Sequence, residues 1–277
     1  MTSVKWNLFW LHFSSSIFDF NLTVLTAPFM VLPKFAGFPI GVFGRFLGFG
    51  VPIQMYFVLT IAAFVGISIL GVFENRYDRI LLDSESLKKS TRFILYFINF
   101  SMAITFFIPS LIVLPEQENA VEIVLKSLPT HEFSYYEPLY VFAIQLVPAH
   151  SLIIITSLII EFEILYFAFR ISQYLRKENY RISKNTRLLQ RKFFVAVSIQ
   201  ITVPIFLILF PICHIAYGFL MNYHNQILNN LFIFITANYG FSSSILLLFI
   251  HKPYRQVIIF CSNSNVVSTI PHSNVVF

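Results

Sequence analysis

The sequence predicts an all-α fold, a polytopic membrane helix bundle with six spans. Three observations carry this expectation: the composition, six long apolar stretches, and a one-sided distribution of basic residues. Of 277 residues, 57% are apolar, 18% aromatic and 12% charged, with a mean hydropathy of +0.74. A soluble domain carries about 25% charged and about 45–50% apolar residues, so this chain lies well outside that range. Thirty-four Phe and 13 Tyr leave too little polar surface to keep a globule dissolved. Disorder, coiled coil and an ordinary cytosolic enzyme are excluded.

A helix crossing the hydrocarbon needs about 20 mostly apolar residues, because each adds roughly 1.5 Å of rise. Six stretches qualify: about 7–32, 47–73, 93–114, 138–169, 193–217 and 229–250. Backbone groups cannot stay unpaired in lipid, so each stretch is expected to be a helix, and alternating barrel-type strands are not seen. The stretch from Pro138 is longer than a membrane and is expected to continue as helix into water. Pro52, Pro109, Pro148, Pro204 and Pro211 fall inside these stretches and are expected to kink them. Residues 1–260 thus form the membrane domain, and the polar 261–277 reads as a disordered tail.

Direction follows from Lys and Arg in the short connections. With odd connections on one side, 16 of the 19 basic residues share that side, and only Lys34, Arg45 and Lys126 lie opposite. The basic side is therefore cytoplasmic and holds the C-terminus. The net charge of +6 thus speaks of membrane orientation and anionic lipid rather than nucleic acid. The first span is weakly oriented when taken alone, having Lys5 inside against Lys34 and Arg45 outside. Glu116, Glu118, Glu122, Glu132 and Glu137 cluster in one outside connection, read either as a solvated loop or as a lid favouring a cationic ligand.

Enzyme chemistry finds little support. The seven histidines come no closer than ten residues in sequence, so the neighbouring-turn spacing of a metal site is missing. No Gly-x-Ser-x-Gly elbow, glycine-rich phosphate loop or His-Glu-x-x-His occurs. Neither a catalytic residue nor a metal or other cofactor is expected. Two cysteines, Cys213 and Cys261, make no disulfide framework.

Polar residues inside the spans are the remaining candidates. His12 and Asp19 lie two helical turns apart and share a face. Gln54, Asn99, Gln145, His150 and Asn238 are candidate ligand-pocket residues; interhelical hydrogen bonds, worth roughly 0.6 kcal/mol apiece, are the alternative for each. At the inner end of the second stretch stands Phe73-Glu74-Asn75-Arg76-Tyr77. Glu74 could hold Arg76 until helices separate; ordinary positive-inside anchoring is the alternative for that Arg. The connection 170–192 carries eight basic residues and one acid, Glu178, and reads as a lipid anchor, a docking surface for an intracellular partner, or both. After the last span, Tyr254, Val257, Ile258 and Cys261 recur at helical spacing, as in a short surface helix, where Cys261 is a candidate for lipidation.

Read in order, these landmarks resemble the nematode serpentine receptor class H chemoreceptors, over roughly residues 5–260. The resemblance rests on Leu11-His12-Phe13 with Asp19, Pro28-Phe29, Ala36-Gly37-Phe38-Pro39, and Gly50-Val51-Pro52 followed by Phe73-Glu74-Asn75-Arg76-Tyr77. Leu128-Pro129-Thr130, Arg191-Lys192-Phe193-Phe194 with Gln200 and Pro204, and His251-Lys252-Pro253-Tyr254-Arg255 extend it. It implies a seven-helix G-protein-coupled receptor in the plasma membrane, in sensory cilia, that detects a small environmental molecule and signals to a heterotrimeric G protein. Glu74, Arg76, Tyr77, Arg191 and Lys192 would then form the cytoplasmic switch and coupling surface. The first span resembles the family's second, so the expected fold is six spans of seven, from a shortened gene model or a degenerate product. An ion channel or transporter subunit, and a truncated product that does not signal, are the alternatives from other classes.

Overall fold

The computed structural model describes residues 2–32, 34–80, 87–127, 139–144, 148–176, 184–221 and 223–250. Helices dominate. α1 (Thr2–Phe20) continues through a wider π-helical turn, Asn21–Leu25, and is followed by strands β1 (Pro28–Val31) and β2 (Phe35–Pro39) and a short α2 (Val42–Arg45). Next come α3 (Val51–Ile80), α4 (Lys89–Thr105), α5 (Ile108–Ile112), α6 (Gln117–Lys126) and strand β3 (Tyr140–Ala143). The chain then runs through α7 (Pro148–Arg176), α8 (Lys184–Met221), α9 (Gln226–Thr236) and α10 (Tyr239–Ile250).

Among the described residues, three helical segments are long and apolar enough to cross a membrane: Val51–Ile80, Lys89–Ile112 and Ser151–Arg176. Central to the bundle is α3, packed between α1 and α7, with α4 alongside and α10 against α1. Its buried residues Val65, Ile69, Leu70 and Phe73 meet Leu11 and Phe18 of α1 and Ile160, Phe167 and Ile171 of α7. In lipid the burial of such side chains supplies packing rather than a hydrophobic driving force, because the tails are equally apolar. Polar contacts therefore matter: Asn7 Nδ2 donates to the Gly71 carbonyl at 2.8 Å, and Tyr56 OH to the Ile104 carbonyl at 2.9 Å.

Two of the predicted spans give way to strand. The stretch 7–32 leaves the helix after Leu25, passes Ala27 at a left-handed φ of 41°, and becomes β1. The stretch 138–169 contains β3 before α7 begins. Both runs exceed one membrane thickness, and their surplus pairs with β2 into an antiparallel sheet of order β1-β2-β3. Non-helical backbone is tolerated at such a site only where protein satisfies it. Here it does. Gln117 of α6 acts as a substitute strand, accepting from Val141 N at 2.9 Å and donating to the Val141 carbonyl at 3.1 Å. On the opposite margin Gln226 donates to the Met30 carbonyl at 3.0 Å and Asn229 to the Leu32 carbonyl at 3.2 Å. Gly37 of β2 is required by closeness, since a Cβ there would stand 2.3 Å from the Phe29 carbonyl oxygen.

The acidic connection is partly helical. α6 lays Ala120 and Val124 on Val31, Ala36 and Val141 of the sheet, while Glu122 faces Lys126 at 2.5 Å on its exposed side. The prolines also behave differently from expectation. Pro52 and Pro148 stand in the first turns of α3 and α7, where the missing N–H would be unpaired anyway, so they start helices rather than kink them. Pro109 sits in the first turn of α5, at the break from α4. Pro204 and Pro211 lie inside the continuous α8.

The sixth stretch, 229–250, is broken at Ala237–Asn238 into α9 and α10. A helix break leaves amide groups without partners. Asp19 of α1 supplies them, accepting from Gly240 N at 2.9 Å and Phe241 N at 2.8 Å.

Candidate functional site

At the end of α3 a charged cluster joins it to the start of α4. Helical geometry dictates its members. Residues two apart point in nearly opposite directions, so Glu74 and Arg76 cannot share a face, whereas Glu74 and Asp78, four apart, can. Arg92 and Tyr96 stand in the same relation on α4. These two pairs meet.

The Arg92 guanidinium is ion-paired with Glu74: Nη2 donates to Oε2 at 3.0 Å, and Nε stands 2.7 Å from Oε1, in charge contact but without the alignment of a hydrogen bond. Its third nitrogen, Nη1, reaches Asp78 Oδ2 at 2.8 Å. Tyr96 OH donates to Glu74 Oε2 at 3.0 Å. One charge-assisted hydrogen bond and one close charge contact hold the guanidinium against the carboxylate, while its remaining nitrogen is left for Asp78. Glu74 is fully buried, whereas Arg92 and Asp78 are 29% and 23% exposed. A buried carboxylate needs its partner, because removing one member of such a pair leaves a charge without compensation.

The other sequence-derived switch residues lie on α3 and α8. Arg76, partly buried, follows on α3. Tyr77 is 3% exposed and sets its ring against Phe167 of α7, centroids 5.3 Å apart. Arg191 and Lys192 are exposed on α8. The partner of Glu74 is thus Arg92, 18 residues further on, which the sequence reading treated only as one basic residue in a connection.

The pocket candidates are not gathered into one site. Gln54 is buried, donates to the Phe49 carbonyl at 2.7 Å, and lines a small cavity of about 10 Å³ with Met30, Gly37 and Phe142. That volume suits about one water molecule. Asn99 is buried and bridges helices, donating to Glu163 of α7 at 2.9 Å. Asn238 donates to the Phe234 carbonyl at 2.7 Å within its own turn of chain. His150 stands in the first turn of α7; its side chain, Gln145 and Cys261 lie outside the described residues, as do Leu128-Pro129-Thr130, His251–Arg255 and the tail. Asp19 and His12 of α1 both face α10, His12 Nδ1 standing 3.4 Å from Ser244 Oγ.

Among the described residues no cluster of three or more His, Cys, Asp or Glu side chains could hold a metal ion. A larger cavity, about 570 Å³, opens between α1, α3 and α4, with Tyr96 in its lining. Of the sequence-derived pocket residues, the described Gln54, Asn99 and Asn238 do not border it.

A helical bundle with apolar helices long enough to span, bridged by polar contacts such as Asn7 to Gly71 and Asn99 to Glu163, is an integral membrane protein. The family model for the serpentine type 7TM GPCR chemoreceptor Srh matches residues 1–262, and the chain belongs to that family of chemoreceptors. This is the class H resemblance read from the sequence. No curated protein and no solved structure matches the chain.

Proposed function

We propose that this protein is a chemosensory receptor of the plasma membrane of sensory cilia, which binds a small environmental molecule and activates a heterotrimeric G protein. The excess of Lys and Arg in the connections on that side supports a cytoplasmic position for the Glu74–Arg92 end of the bundle. The observation that carries the reading is the ion pair between buried Glu74 and Arg92, tying the inner ends of α3 and α4 together. A buried charge pair is either made or broken, so it supplies the two-state element that a switch needs. Ligand binding shifts the balance toward the open state, and Arg76, Arg191 and Lys192 then face the G protein. Membrane lipid is the surrounding partner.

The test is nucleotide exchange on a purified heterotrimeric G protein by the chain reconstituted in nanodiscs. Arg92→Ala is expected to raise ligand-independent exchange above that of the parent. Absence of exchange with every G-protein class, from folded protein, overturns the coupling. Ligand-evoked current in cells lacking functional G proteins would instead assign the chain to the channel class.

A further inference from the structure

The 570 Å³ cavity between α1, α3 and α4 has three properties that together specify an occupant. First, it opens on the flank of the bundle. Trp10, Phe13 and Phe100 border it and are 53%, 46% and 44% exposed, so the entrance is an aromatic one on helices that read as spans. Its volume is in the small-molecule range of about 300–1,000 Å³. Second, its lining contains no charged side chain. A charged molecule entering from water would lose hydration without gaining a counter-ion, a cost that a neutral one avoids.

Third, its hydroxyls are acceptors. Ser14 Oγ donates its one proton among the Trp10 carbonyl at 2.8 Å, the Leu11 carbonyl at 3.1 Å and Ser68 Oγ at 3.1 Å, and Ser68 Oγ donates to the Phe64 carbonyl at 2.8 Å. The two oxygens stand 3.1 Å apart and both border the cavity. Each serine has one proton and two lone pairs, so with the protons thus engaged what remains on offer is lone pairs. The complementary group is an O–H donor.

Tyr96 adds a consequence. It borders the same cavity, and its hydroxyl donates to Glu74 Oε2 at 3.0 Å. Whatever fills the cavity touches the residue that holds the buried carboxylate.

We propose that this cavity is a binding site for a neutral lipophilic alcohol dissolved in the bilayer, seated by its hydroxyl on Ser14 and Ser68, and that Tyr96 carries its occupancy to the Glu74–Arg92 pair. The binding part stands without any G protein; only its meaning as ligand detection rests on the receptor reading.

The full chain in phosphatidylcholine nanodiscs is labelled with a diazirine analogue of hexadecanol and mapped by peptide mass spectrometry. Label is expected on α1, α3 and α4, displaced by excess hexadecanol but not by hexadecane. Ser68→Ala, which removes an acceptor without adding bulk, is expected to weaken displacement by hexadecanol about fivefold, the worth of one net hydrogen bond. Ser68→Phe, which adds bulk, is expected to abolish label while the melting profile is kept. Label that hexadecane displaces equally well, or that a diazirine phosphatidylcholine places on the same peptides, means bulk lipid alone and overturns the site.

Hydrogen exchange then reads the coupling. Hexadecanol is expected to speed exchange around residues 74–78 and 92–96 in the parent, and not in Tyr96→Phe. Equal change in both removes Tyr96 from the path. Specific labelling and coupled exchange with no nucleotide exchange on any G protein leave the site standing and overturn the receptor reading instead.

Discussion

Asp19 and Gly240 are in direct contact across 221 residues of sequence: the carboxylate accepts the Gly240 amide at 2.9 Å, and its second oxygen accepts that of Phe241 at 2.8 Å. The contact depends on glycine, because a Cβ at Gly240 would come within 2.8 Å of both Asp19 Oδ2 and the Ser15 carbonyl oxygen. A membrane helix that restarts mid-span acquires an anion at its amino end from the neighbouring helix, where the helix dipole favours it.

Replacing Asp19 by Asn puts an amide N–H₂ where one backbone donor must be received. Asp19→Asn is expected to lower stability by about 1–3 kcal/mol, the cost of a buried donor left unmet. Thermal unfolding in detergent measures it. Gly240→Ala, which pushes α10 from α1, is expected to be at least as damaging; a variant as stable as the parent in either case would show that the contact contributes nothing.

Arg92→Ala leaves Glu74 buried beside Asp78 with no guanidinium between them. The expected loss is about 3–5 kcal/mol, the range for breaking one side of a buried pair. The double variant Glu74→Gln, Arg92→Ala is expected to recover part of that loss, because the stranded charge is gone. Denaturant titration of the four species in a double-mutant cycle checks the coupling. Strict additivity contradicts a direct interaction.

Glu74 and Arg76 are expected to behave oppositely in signalling, since they lie on different faces of α3 and only Glu74 belongs to the α4 clamp. Arg76→Ala is expected to lower ligand-evoked exchange at unchanged surface level without raising the basal rate. Arg92→Ala raises the basal rate. Parallel effects of the two substitutions in the same nucleotide-exchange assay would place Arg76 inside the clamp.

Gln117→Leu removes both hydrogen bonds that this side chain makes to Val141 and leaves the β3 margin open. Faster amide exchange at Val141 is expected, with the rest of α6 unaffected, because Ala120 and Val124 keep α6 on the sheet. A loss of about 1–2 kcal/mol in local protection corresponds to the net worth of the bonds broken.

The helical membrane class and its family were legible because they depend on bulk properties: apolar runs long enough to span, and ordered short motifs. The three-stranded sheet was not. Pro28-Phe29-Met30-Val31 is a short apolar run continuous with the helix before it, and periodicity alone cannot separate a buried strand from more helix. Glu74 was legible as a polar residue at a helix end, but its partner was not: the sequence reading paired it with Arg76, whereas the structure pairs it with Arg92 on another helix, a contact that no spacing in the chain encodes. Asn99 shows the same limit from the other side. Its polarity in a span was visible, whereas Glu163, the residue that engages it, lies 64 positions away. The cavity was not legible, since its polar side chains, Asn7, Ser14, Ser68 and Tyr96, are of kinds common in any span and stand on three separate helices.

The break at Ala237–Asn238 divides the last span between two owners. α9 is fastened to the sheet through Gln226 and Asn229, whereas α10 is fastened to α1 through Asp19. Both halves also rest on the continuous α8, so the joint at Ala237–Asn238 links the sheet to α1 through one shared support.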